Sequence, residues 1–157
     1  MVDSREKGAR AEYQVRDLLR KHTGLQWERV PGSGGFNATH GLKGDIYVPD
    51  DTVSIKHCIE VKHYEEDTVN SNLFNDSVSQ LEKFWKQTVR ESEEISKEPL
   101  LVFRKNRGKW LVATRDAVMA SVEMTLTTDE LEESINIYLF SVWLECQTKE
   151  SLCNLMT

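Results

Sequence analysis

The chain has 157 residues, 39% of them hydrophobic and 29% charged, which suits a single compact domain spanning 1–157. Its apolar runs are too short to span a membrane, and its charged N-terminus does not resemble a secretory leader. Three cysteines with no C-x-x-C spacing argue against a disulfide scaffold or a zinc knuckle and point to a reducing, cytoplasmic setting.

The net charge of −6 conceals a segregation along the chain. Ten Lys/Arg face nine acids in residues 1–62, four face nine in 63–98, five face one in 99–116, and one faces seven in 117–157. Basic charge gathers at Arg5, Lys7, Arg10, Lys43 and the stretch 104–109, whereas the C-terminal third is acidic. Charge alone does not choose a partner.

In chain order, residues 4–22 read as a helix, with Ala11, Val15, Leu18 and Leu19 at helical spacing. Residues 25–30 read as a short strand. Pro31 and the glycines from Gly32 to Gly44 mark a long loop, which includes Asn37, His40 and Lys43. A strand over 45–48 turns at Pro49-Asp50-Asp51 and returns through about 55–63. Residues 72–89 read as a second helix on the stripe Leu73, Val78, Leu81, Trp85 and Val89. Two strands, 99–104 and 110–114, are joined by the hairpin signal Asn106-Arg107-Gly108. Residues 115–122 read as a short helix. Thr127-x-x-Glu130 resembles a capping box opening a final helix, with Leu131, Ile135, Tyr138, Leu139, Val142 and Cys146 on one face. The whole is an α/β sandwich around a mixed sheet.

The chemistry concentrates on the 45–63 hairpin. Alternate residues of a strand share a face, so Glu60 and Lys62 point one way while Ile59 and Val61 point to an apolar layer. Asp45 opens the partner strand. Two carboxylates can hold Mg²⁺, which prefers oxygen ligands, and a lysine beside them can position or help deprotonate a water for attack on phosphorus. Glu12 adds a third acid. It shares a helix face with Gly8, Val15 and Leu19, where a carboxylate is costly unless paired or metal-bound. A cross-sheet ion pair would equally explain Glu60 with Lys62. His57 and His63 should face away from Glu60 and lie at the surface. Cys58 reads as packing, and the four tryptophans as core.

The ordered segments Lys7-Gly8-Ala9-Arg10-Ala11-Glu12, Arg29-Val30-Pro31-Gly32-Ser33, Gly44-Asp45-Ile46 and Cys58-Ile59-Glu60-Val61-Lys62 resemble the signatures of archaeal-type Holliday junction resolvases, within the PD-(D/E)xK nuclease superfamily. The likeness covers a core of about 4–115. It implies a restriction-endonuclease-like three-layer core, a central mixed β-sheet flanked by helices; residues 116–157 do not match the family closely, and 116–150 read from their own pattern as a C-terminal helical extension. It also implies catalytic roles for Glu12, Ser33, Asp45, Glu60 and Lys62. Metal ligation would come from Asp45, Glu60, Glu12 and the Val61 carbonyl, to Mg²⁺ or alternatively Mn²⁺. DNA contact would fall to Arg5, Lys7, Arg10, Arg29, Ser33 and Lys43, and Gln80 could lie near the site. The partner would be branched DNA, cut by a homodimer with no organic cofactor. Nucleases of the same fold acting on flaps, single strands or duplex, and a non-catalytic DNA-binding module, are the alternatives. The sequence departs from the resemblance at Gly44, which stands where a proline is expected before the aspartate.

Overall fold

The computed structural model describes residues 4–31, 42–64, 73–105 and 108–155. Helix α1 (Ser4–Thr23) is followed by β1 (Glu28–Arg29), β2 (Ile46–Tyr47), β3 (Val53–Ile55) and β4 (His57–Tyr64). Helix α2 (Leu73–Glu94) leads to β5 (Glu98–Lys105) and β6 (Leu111–Thr114). The chain then forms β7 (Met124–Thr127), β8 (Ser134–Leu139), the short helices α3 (Phe140–Glu145) and α4 (Lys149–Leu152), and β9 (Cys153–Leu155).

Among the described residues, seven strands make one sheet in the order β1-β2-β4-β5-β6-β8-β7. The β4–β5 pair is parallel, with Glu60 opposite Leu101, and the other neighbours are antiparallel. The sheet is therefore mixed and flanked by helices, as expected. Strand alternation divides the core into two layers. Ile59, Val61, Leu100 and Val102 pack with Ala11, Val15 and Leu19 of α1 and with Phe140, Trp143 and Leu144 of α3. Tyr64, Leu101 and Phe103 pack with Leu81 and Trp85 of α2 on the other face. Among the described residues no helix is long and apolar enough to cross a membrane.

The C-terminal third departs from the expectation. Residues 124–127 and 134–139 are strands rather than one helix, and only 140–145 and 149–152 of this region are helical. The apolar residues of 131–146 satisfy a helical period, but Ile135 and Ile137 enter one layer while Tyr138 enters the other, which is strand alternation. β-branched residues favour that choice. Thr127 does not cap a helix. Its hydroxyl meets Ser134 Oγ at 2.6 Å across the hairpin, and Thr128 Oγ1 accepts from Leu131 N at 3.2 Å. Residues 115–122 are irregular rather than helical, held by Val118 N to the Tyr138 hydroxyl and Asn136 Nδ2 to Asp116 O.

His57 is also corrected. It is buried, its Nε2 lies 3.0 Å from Asp116 Oδ2, and its ring meets Trp143 edge-on at 5.8 Å. Asp116 is far away in sequence, so no local pattern announces this partner. His63 is half-buried against Trp110. Trp27, Trp85 and Trp143 are core, whereas Trp110 is partly exposed beneath Arg104, whose guanidinium sits 4.7 Å from its ring centre.

β9 pairs with β3, and Leu152 just before it is 2% exposed in the α1-side core. Leu152→Ala should therefore cost about 2–5 kcal/mol, read as a lower midpoint in chemical denaturation. An unchanged midpoint would show that this segment does not help to hold the β3 turn.

Candidate active site

The acids are brought together by three elements. Ala11, Val15 and Leu19 pull one stripe of α1 onto the sheet and leave Glu12 at the margin of that contact, with its side chain 18% exposed. Arg29 on β1 holds it through Nε–Oε2 at 2.7 Å and Nη2–Oε2 at 2.6 Å.

Asp45 is fixed by the backbone around it. Gly44 has φ +80°, a left-handed conformation that glycine adopts without strain. A Cβ at Gly44 would lie 2.7 Å from Ile59 O and 3.0 Å from Cys58 Sγ. The tight approach lets Asp45 N donate to Ile59 O at 2.7 Å, while Asp45 O accepts from Val30 N at 2.9 Å. The carboxylate Oδ2 accepts from Val61 N at 2.8 Å, which ties the aspartate to the middle of β4.

Glu60 is 4% exposed on the α2 side of β4 and hydrogen-bonds to both Asp45 and Glu91. Burial, together with the charge of Asp45, pushes its carboxyl up to about 11. Burial and Asp45 also raise Glu12 to about 7, and Arg29 offsets part of that rise. Lys62, two residues on, places Nζ 4.0 Å from Glu60 Oε2 and 5.0 Å from the centre of the Phe84 ring. The result is a continuous row, Glu12–Asp45–Glu60–Glu91, with Arg29 at one end and Lys62 at the other. Among the described residues no three His, Cys, Asp or Glu side chains form a ready-made metal cage, and the carboxyls of the row hydrogen-bond to one another.

Residues 3–151 match the family described as "Phage putative PDDEXK endonuclease". The chain belongs to this phage PDDEXK endonuclease family. It is similar to Protein D14 of Escherichia phage T5, at 51% identity over 158 residues that span 96% of this chain and 98% of that protein. A solved structure of Hjc from Archaeoglobus fulgidus, a Holliday junction resolvase, is similar at 20% identity with a TM-score of 0.41, covering 87% of each chain.

Within this PDDEXK nuclease, the expected residues Glu12, Asp45, Glu60 and Lys62 meet in one network, whereas others are placed differently. Arg29 is engaged with Glu12 and lies over the Tyr13 ring, whose centre is also 4.6 Å from the Arg16 guanidinium. Lys43 pairs with Glu94 at 3.0 Å. Arg10 is exposed on α1, Lys7 is half-buried there, and Arg5 lies in the first turn. Gln80 is exposed on α2 rather than directed into the row. Ser33, Asn37, His40, Asn106 and Arg107 lie outside the described residues. Cys58 is buried and its thiol is pushed up to about 12 by burial, which suits packing rather than nucleophilic attack.

The residue that sequence reading missed is Glu91. A faint signal exists, because Phe84, Thr88 and Glu91 follow the i, i+4, i+7 spacing of one helix face. An acid ending such a stripe is a candidate for contact with the sheet beneath.

Proposed function

We propose that this PDDEXK nuclease is a divalent-metal-dependent DNA endonuclease selective for four-way junctions. The observation that carries the reading is the contact row of Glu12, Asp45 and Glu60 with Lys62 beside it. Its donors are all oxygen, and like-charged carboxyls held this close are stable only with shared protons or a cation among them. That donor set fits a hard ion such as Mg²⁺ or Mn²⁺. Asp45, Glu60 and the Val61 main-chain carbonyl would hold it, with Glu12 within reach. Such an ion supplies charge stabilisation at the phosphate under attack.

The chain's own groups do the rest. Val61 N and the Gly44 turn keep Asp45 in register. Lys62 orients the attacking water and offsets negative charge as the phosphorus–oxygen bond breaks. Arg5, Lys7, Arg10 and Ser33 would contact DNA, and Lys43 would do so on leaving Glu94. Junction selectivity is supported by the ordered likeness of the motifs from Lys7 to Lys62 to the junction resolvases. A homodimer would place two sites about a two-fold axis, so that opposed strands of a symmetric junction are both cut. The acidic chain with its buried Cys58 thiol suits the cytoplasm of an infected cell.

The decisive assay offers four-way junction, flap, single-strand and linear duplex DNA with Mg²⁺, with Mn²⁺ and with chelator. The expected result is paired nicks in the junction, dependent on the ion. Preferential cutting of flaps, single strands or duplex would replace the substrate and keep the enzyme. Binding without cutting under every metal condition would leave only a DNA-binding module.

A further inference from the structure

Helix α2 covers the Glu60 face of the sheet and turns Phe84, Thr88 and Glu91 toward it. Thr88 is fully buried, and it satisfies its hydroxyl within the helix by donating to Phe84 O at 2.7 Å. Glu91 is served less well. Among the described residues its Oε1 accepts a long hydrogen bond from Gln87 Nε2, at 3.4 Å, while its Oε2 is buried and no N–H group of those residues reaches it. What the carboxylate does meet is the carboxyl of Glu60, which hydrogen-bonds to it, and the charges of Lys62 and Lys43.

A helix that only needed to pack on β4 would be better served here by an apolar side chain, because covering a carboxylate oxygen without a purpose-built partner is costly even on a half-buried residue. We infer that Glu91 is a positioning residue of the nuclease site, holding the Glu60 carboxyl and the Lys62 ammonium in place from α2. Glu60 thus meets Asp45, which precedes β2, and Glu91, which α2 brings over β4. Lys62 is steadied by Glu60, Glu91 and the Phe84 ring together. The inference rests on Asp45, Glu60 and Lys62 being the nuclease site. Groups of this kind, bonded to a ligating carboxylate rather than to the ion, commonly control both affinity and rate.

The test uses the full chain with Glu91→Ala, Glu91→Gln, Glu91→Asp and, as an exposed control on the same turn, Glu93→Ala. Mn²⁺ binding is measured by calorimetry without DNA, alongside kcat and KM on whichever DNA the wild type cuts. Glu91→Ala should weaken Mn²⁺ binding and lower kcat by roughly 10–100-fold, with KM for DNA unchanged. Glu91→Gln should recover most of both, since its amide keeps the length and can donate to Glu60. Glu93→Ala should match wild type. Should Glu91→Ala not fold, Glu91→Asp replaces it, keeping the charge but losing the reach, and it should fall while Glu91→Gln does not. Wild-type behaviour of Glu91→Ala overturns the inference alone, as does a Glu91→Gln no better than the truncated variants. A wild-type chain that binds no Mn²⁺ overturns both this inference and the reading of the site.

Discussion

Replacing Lys62 with alanine should lower DNA cleavage by roughly 10²–10⁴-fold, the usual contribution of a placed proton-transfer or charge-stabilising group. DNA binding and the thermal midpoint should change little. The reason is positional. Lys62 lies toward the C-terminal end of β4 (His57–Tyr64), its side chain 26% exposed, with its ammonium at the lip of the acid row rather than under it. Removing it takes away the cation beside Glu60 and Glu91 but leaves their buried contacts with Asp45 and α2 intact. The measurement is single-turnover cleavage of a labelled junction together with a binding isotherm for the same DNA. Cutting by Lys62→Ala at near wild-type rates would remove the lysine from the mechanism. A parallel loss of binding would make it a DNA contact instead.

Gly44→Ala should be the most damaging small substitution in the site. A side chain at φ +80° costs about 1–2 kcal/mol in backbone strain, and here its Cβ would also strike the Ile59 carbonyl at 2.7 Å. Backbone cannot swing aside as a flexible side chain does. Relief of the clash must lengthen the Asp45 N–Ile59 O hydrogen bond of 2.7 Å and draw Asp45 away from Val61 N. A total of roughly 3 kcal/mol would lower the thermal midpoint by about 6–12 °C in a domain of this size. Cleavage should fall further than stability does, because about 1 Å of misplacement at a reacting group can cost 10²-fold. A Gly44→Ala protein with wild-type midpoint and rate would show that the turn tolerates a side chain. The departure from proline at this position therefore has a steric reason, since proline's φ near −65° cannot supply the turn observed.

The parts of the fold that sequence disclosed are those built from local pattern. Helix α1 and the β2–β4 hairpin follow from periodicity and turn residues, and so do β5, β6 and most of α2. The same alternation put Glu60 with Lys62 and Ile59 with Val61 on the correct faces. Sequence failed where two periods fitted one segment, as at Leu131–Cys146, and where a partner came from far along the chain. His57 with Asp116 and Glu60 with Glu91 are both of the second kind. Arg29 carries a related lesson. The family resemblance gave it a DNA contact, which implied nothing about its pairing with Glu12; only the juxtaposition of α1 with β1 reveals that partner.

The parallel pairing of β4 with β5, from His57 opposite Glu98 to Tyr64 opposite Lys105, has a consequence for how the chain acquires its activity. Strands so joined, with α2 between them, must close a long loop before any pairing repays the lost chain entropy, which slows folding. Asp45 and Glu60 belong to one hairpin and can meet early. Glu91 reaches them only when the crossover shuts, and Glu12 only when α1 docks. A chain in which either step is unfinished thus holds an incomplete acid row, and the full row exists only once both α1 and the crossover have closed.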